Sequence, residues 1–226
     1  MHDLVIRNAL IVDGSGVDAF AGDVAIDGEH ITAVGGKLGP AHREINANGL
    51  ILAPGWVDVH THYDGQATWD PYLTPSCWHG VTTAVMGNCG VGFAPAHPSK
   101  RDWLIGLMEG VEDIPGTALA EGIDWAWESF PEYLAALERT PRALDIAAQV
   151  PHGAVRAYIM GERGATEVDA NAAERAGMAA LVKEAIAAGA VGFSTSRTVL
   201  HRSIDRSKST RLNSSHLRLS RMPSSA

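Results

Sequence analysis

Cysteine is almost missing from this 226-residue chain, which has only Cys77 and Cys89. Two cysteines make no disulfide framework, so a reducing compartment, the cytoplasm, is the expected setting. No apolar run approaches the roughly 18 residues of a membrane span. The N-terminus, Met1 to Gly14, lacks the basic lead, long apolar core and small-residue cleavage site of a secretory leader. No membrane partner is therefore expected. A net charge of −8 leaves little cationic surface, which speaks against nucleic acid as a partner. A phosphate loop is absent too, since Gly14-Ser15-Gly16 lacks the rest of such a motif. Charged residues are 19% and hydrophobic ones 46%, enough apolar material for one large domain or two small ones.

The charge is unevenly spread. From Arg206 to the end there are five basic residues, seven serines and no acid, so 13 basic and 26 acidic residues remain in 1–205, a net −13. The tail 206–226 has no sustained periodicity. It reads as a disordered, non-native extension resembling translated vector or adapter sequence, with a basic binding arm as the alternative.

Residues 1–53 predict short strands at 4–6, 9–12, 23–26 and 30–34, then a further apolar run at 50–53. They are punctuated by Asp13-Gly14, Asp27-Gly28, Gly35-Gly36 and Asn46-Ala47-Asn48-Gly49. Asp-Gly between β-branched runs is a hairpin signal. The expectation is the N-terminal part of a β-sandwich. From 54 to 205 the pattern changes to strands at 56–60, 81–86, 145–150 and 189–194, alternating with helices over 101–109, 130–139 and 170–188; Gly189 is the C-cap of the last. That is an α/β pattern with a parallel sheet, whose ligands gather at the C-terminal strand ends. A closed barrel needs eight strands and about 250 residues. Four strands amount to half of one.

Chemistry concentrates at those strand ends. His60 and His62 stand at alternate positions of an apolar run and would face one point. Neutral imidazoles are common zinc ligands. Cys89, 27 residues after His62, ends the next run in Gly87-Asn88-Cys89-Gly90. The three read together as a metal centre, against the plainer accounts of two hydrogen-bonded core histidines and a buried thiol. Asp64 is close enough in sequence to support the ligands. His152, after the third strand, is either a substrate or supporting contact or a structural hydrogen-bonder. Cys77 and His79 read as structural, and Arg156 as an ordinary ion-pair former, with carboxylate binding as the alternative. Ser194-Thr195-Ser196 has no histidine base nearby, so it reads as a polar loop and not as a nucleophile.

Pro54-Gly55-Trp56-Val57-Asp58-Val59-His60-Thr61-His62 and Gly80-Val81-Thr82-Thr83 resemble the amidohydrolase superfamily. Gly87-Asn88-Cys89-Gly90, His62-Tyr63-Asp64-Gly65-Gln66, Gly110 to Gly116 and Gly192-Phe193-Ser194-Thr195-Ser196 narrow the likeness to the D-aminoacylase, or N-acyl-D-amino-acid deacylase, group. The resemblance spans residues 3 to about 202. It implies a metal-dependent TIM (β/α) barrel with a flanking β-sandwich, Zn2+ held by His60, His62 and Cys89, and hydrolysis of a small N-acyl-D-amino acid. It also implies further histidine ligands on the fifth and sixth strands and a catalytic aspartate on the eighth, none of which this sequence contains. The chain by itself is accordingly expected to be inactive. Hydantoinase-like relatives bridge two metals with a fourth-strand lysine, and 190–195 contains none. Such an enzyme, dihydropyrimidinase-like included, is the alternative, and a non-catalytic barrel scaffold is another.

Overall fold

A computed structural model describes residues 1–166 and 169–196. The expected tail at 206–226 lies outside the described residues. Two compact units result, Met1–Gly55 and the chain from Trp56 onwards.

The first unit is a sheet of β1 (His2–Ile11), β2 (Phe20–Asp27), β3 (His30–Val34), β4 (Ala41–Asn46) and β5 (Ile51–Leu52). Its order is β3-β2-β1-β4, with β5 also on β1. The expected strands 4–6 and 9–12 are one strand carrying a bulge between Ile6 and Ala9. Asn8 sits there at φ 58°, and its N–H donates to Asp23 Oδ1 at 2.9 Å. Asp23 is buried but well satisfied, since it also accepts from Leu38 N–H and Arg7. These bonds, first that from Asn8, hold its carboxyl below the usual range. The Asp27-Gly28 turn joins the antiparallel pair β2–β3 as expected. β4 was not legible in the sequence, because Ala-His-Arg-Glu-Ile-Asn shows no apolar alternation and is mostly exposed. The described residues form one five-stranded sheet in this unit. Ile6, Ile11, Val24, Ile26, Ile31 and Val34 line a hollow on its face.

The second unit is built on β6 (Trp56–Asp58), β7 (Val81–Met86), β8 (Asp145–Pro151) and β9 (Gly192–Ser194), all parallel and in sequence order. Between β7 and β8 run α1 (Arg101–Glu112), α2 (Gly116–Gly122) and α3 (Phe130–Glu138). Between β8 and β9 run α4 (His152–Met160), α5 (Arg163–Thr166) and α6 (Ala172–Ala188). α3 and α6 each start on a capping box, Ser129 with Glu132 and Asn171 with Glu174. α6 ends on Gly189 at φ 118°, as its sequence signalled. Met178, Val182 and Ala185 form its buried stripe, spaced to fall on one helical face. They join Leu104, Leu107, Met108, Phe130, Tyr133, Val150 and Val155 in one core. α4 was not expected. Nearly all of it is buried, so it lacks the polar face that makes a helix readable, and it follows Pro151 without a connecting loop. No described helix is long and apolar enough to cross a membrane.

Candidate metal centre

The first strand is shorter than expected. It ends at Asp58, whose Oδ1 accepts the His60 N–H at 3.1 Å and so diverts the backbone from the ladder. His60 and His62 therefore leave the strand, and alternation along a β-ladder is not what aligns them. Thr61 does that work. Its N–H and its hydroxyl both donate to Val85 O at 2.9 Å, pinning the loop to β7 between the two histidines. The rings lie 5.5 Å apart, tilted by 59°.

Cys89 is brought to the same place by a tight reversal after β7. Gly87, Cys89 and Gly90 have φ of 77°, 55° and 76°. For a side-chain-bearing residue such as Cys89 this left-handed conformation is strained and persists only where surroundings impose it. Those surroundings are visible. Ser194 Oγ, at the end of β9, accepts the Gly90 N–H at 3.0 Å and donates to Gly87 O. Asn88 donates to Thr61 O at 3.2 Å and Val85 O at 2.9 Å, and accepts from Gln149 Nε2 at 2.8 Å. One buried amide thus ties the ends of three neighbouring segments around the cysteine. The outcome is that one donor atom from each of His60, His62 and Cys89 lies within 4.8 Å of the others. His60 Nε2 is 3.2 Å from Cys89 Sγ. Two imidazoles and a thiol at this spacing are a donor set suited to zinc. Burial, and then the Glu112 carboxylate, push the Cys89 thiol up to about 11.

Asp64 and His152 are placed differently. Asp64 is 2% exposed, and its Oδ2 is enclosed without a hydrogen-bond partner. Burial pushes its carboxyl up to about 7, against a bond from the Gly87 N–H, and Glu112 adds to the rise. Its backbone carbonyl accepts from the buried Tyr133 hydroxyl at 2.7 Å. His152 opens α4, with Nδ1 at 3.3 Å from Thr195 Oγ1 and its ring against Phe193. It is not among the three clustered donors. Burial, aided by Arg156, lowers its imidazole to about 4, so it is neutral at physiological pH. Cys77 packs half-buried against the core.

Two contributors escaped the sequence. Asn88 was part of a motif without a role. Glu112, the last residue of α1, stands with Oε1 at 3.3 Å from His62 Nε2. Its signal was an acid in the final turn of a helix, where the dipole disfavours one.

The sequence matches the amidohydrolase family over residues 43–223. It is 36% identical over 196 residues to the D-aminoacylase of Alcaligenes xylosoxydans xylosoxydans, covering 85% of this chain and 37% of that one. It is 37% identical over 194 residues to the N-acyl-D-aspartate deacylase of the same organism, covering 85% and 36%. Among solved structures, the N-acyl-D-glutamate deacylase of Bordetella bronchiseptica, complexed with zinc and a phosphonate mimic of the tetrahedral intermediate, superposes with a TM-score of 0.72 at 34% identity. That superposition covers 86% of this chain and 38% of the other. The chain thus spans little more than a third of the length of these relatives. With the parallel sheet, the donor cluster at its C-terminal edge and these likenesses together, the chain belongs to the amidohydrolase family.

Proposed function

We propose that residues 1–205 are the N-terminal portion of a zinc-dependent N-acyl-D-amino-acid deacylase, with 1–53 part of a β-sandwich and 54–205 the first half of a TIM barrel. The convergence of His60, His62 and Cys89 donor atoms within 4.8 Å carries the reading. The half-barrel is supported by β6, an edge strand with Trp56 and Val57 68% and 57% exposed, as expected of a strand that awaits a neighbour. The reaction is hydrolysis of the amide of a small N-acyl-D-amino acid to a carboxylate and a free D-amino acid. What zinc supplies when bound is Lewis-acid polarisation of the amide carbonyl and of water.

The residues of this chain have preparatory roles. His60 and His62 offer ring nitrogens as ligands. Cys89 releases its proton on becoming a ligand, so metal binding strengthens as pH rises. Asp64, enclosed beside the histidines, is a candidate for supporting them or meeting substrate. His152 is the weaker candidate, because Thr195 and Phe193 already engage it. The aspartate that would shuttle the proton belongs to a later barrel strand, so the 226 residues alone have no deacylase activity. The setting is cytoplasmic. A hydantoinase-like activity is the less favoured reading, since β9 offers no lysine to bridge two metals.

The test is a substrate panel on a protein in which residues 1–205 continue through the remaining barrel strands. Release of D-amino acid from N-acetyl-D-amino acids, with hydantoins untouched and activity abolished by Cys89→Ala, is the expected result. Hydantoin opening, or full activity in Cys89→Ala, would overturn it.

A further inference from the structure

We infer that Glu112 is a positioning residue of the metal centre, a carboxylate that holds His62 in its ligating orientation and strengthens the site without joining it. The inference rests on the zinc reading above and names a residue which that reading leaves idle.

Glu112 closes α1, and the chain turns away immediately, with Asp113 at φ 56°. Its side chain is 19% exposed, yet its Oε1 is fully enclosed and accepts no hydrogen bond of good geometry. That oxygen stands 3.3 Å from His62 Nε2. Three circumstances make this an unfavourable place for an anion. Helix C-termini repel negative charge, Asp64 is a second carboxyl within electrostatic reach, and an enclosed oxygen has lost its water. An ordinary surface ion pair shares none of these burdens. A cation bound at the donor cluster relieves all three together.

Position decides between ligand and support. The mutually close donor set among the described residues is His60, His62 and Cys89, and Glu112 is not a member of it, its Oε1 standing at ion-pair distance from His62 Nε2. A carboxylate that accepts the N–H of the non-ligating ring nitrogen fixes ring orientation and tautomer and raises the basicity of the other nitrogen; with Glu112 at Nε2, His62 would ligate through Nδ1. Loss of such a partner weakens metal binding typically by 10–100-fold.

The experiment titrates cobalt(II) into the purified 226-residue chain against a competing chelator, beside Glu112→Gln, Glu112→Asp and Glu112→Ala, with far-UV circular dichroism on each apoprotein. The parent chain should show a thiolate-to-cobalt charge-transfer band. Glu112→Gln, which keeps the shape of the side chain, should bind about 10–100-fold more weakly with that band and the ligand-field bands unmoved. Glu112→Asp should recover part of the loss. If Glu112→Ala loses its helical signal, the Gln and Asp variants decide. Equal affinity in Glu112→Gln would overturn the inference and leave the zinc reading standing. Shifted ligand-field bands would overturn it in another way, by making Glu112 a ligand. A parent chain without the charge-transfer band would remove the zinc reading and this inference with it.

Discussion

Replacing Gly87 by alanine perturbs the candidate metal centre without touching a donor atom. Gly87 has φ 77°, and an L-residue in that region costs about 1–2 kcal/mol. The added Cβ would also stand 2.2 Å from the carbonyl oxygen of Gln149, and 3.0 and 3.1 Å from its carbonyl carbon and nitrogen. Ordinary contact begins near 3.4 Å, so 1.2 Å of separation must be found against backbone, not against a side chain that can swing away. The obstacle is β8 itself, at the point where the β7–β8 pairing ends with Met86 opposite Ala148. Overpacking of this kind costs typically about 1–3 kcal/mol. The expected total is about 2–5 kcal/mol, a large share of the 5–15 kcal/mol that typically holds a domain. Urea denaturation followed by circular dichroism measures it, and cobalt(II) titration of the same samples should show Cys89 displaced. Gly110→Ala is the control. It lies inside α1 with nothing within 4 Å of the added carbon, and should gain up to about 1 kcal/mol from helix propensity. If Gly87→Ala proved as stable as Gly110→Ala and kept its cobalt affinity, the strained reversal would not be what places the cysteine.

Other outcomes follow from buried and capping groups. His152 titrates near 4 when folded against 6.5 for an ordinary imidazole, so the unfolded chain takes up the proton first as pH falls. Its contribution is intact above pH 6.5 and is lost on descending through 4, by about 3 kcal/mol at 1.36 kcal/mol per pH unit. Denaturation midpoints of the parent and His152→Gln at pH 7.5 and 4.5 should converge on acidification, and parallel curves would refute this. Asn171→Ala removes the α6 cap, where Oδ1 accepts the Glu174 N–H at 2.9 Å. It should cost about 1 kcal/mol in urea denaturation, and a change below 0.3 kcal/mol would dismiss the capping box as a contributor.

Some elements were legible because their physics is local. α6 could be read from an alanine-rich run and a terminal glycine, both within one helix. The alternation of strands with helices beyond residue 54 gave the parallel sheet, and the side on which its ligands gather follows from strand direction alone. His60 and His62 could be paired by spacing. The reason inferred from that spacing was incomplete, because the strand stops at Asp58 and the pairing depends on Thr61 bonding to a strand more than twenty residues away. α4 was hidden because a helix buried on nearly every side has no periodic contrast, and β4 because an exposed strand has none either.

The sequence by itself determined which donors are available, the class of sheet that carries them and the turn glycines that let Cys89 face backwards. Tertiary structure decided which of the many acids and amides meet those donors. Glu112 lies 50 positions beyond His62 and Asn88 lies 61 before Gln149. Their contacts depend on the length and packing of the elements between them. No local pattern in the chain encodes that, because a hydrogen bond or an ion pair is set by distance in space.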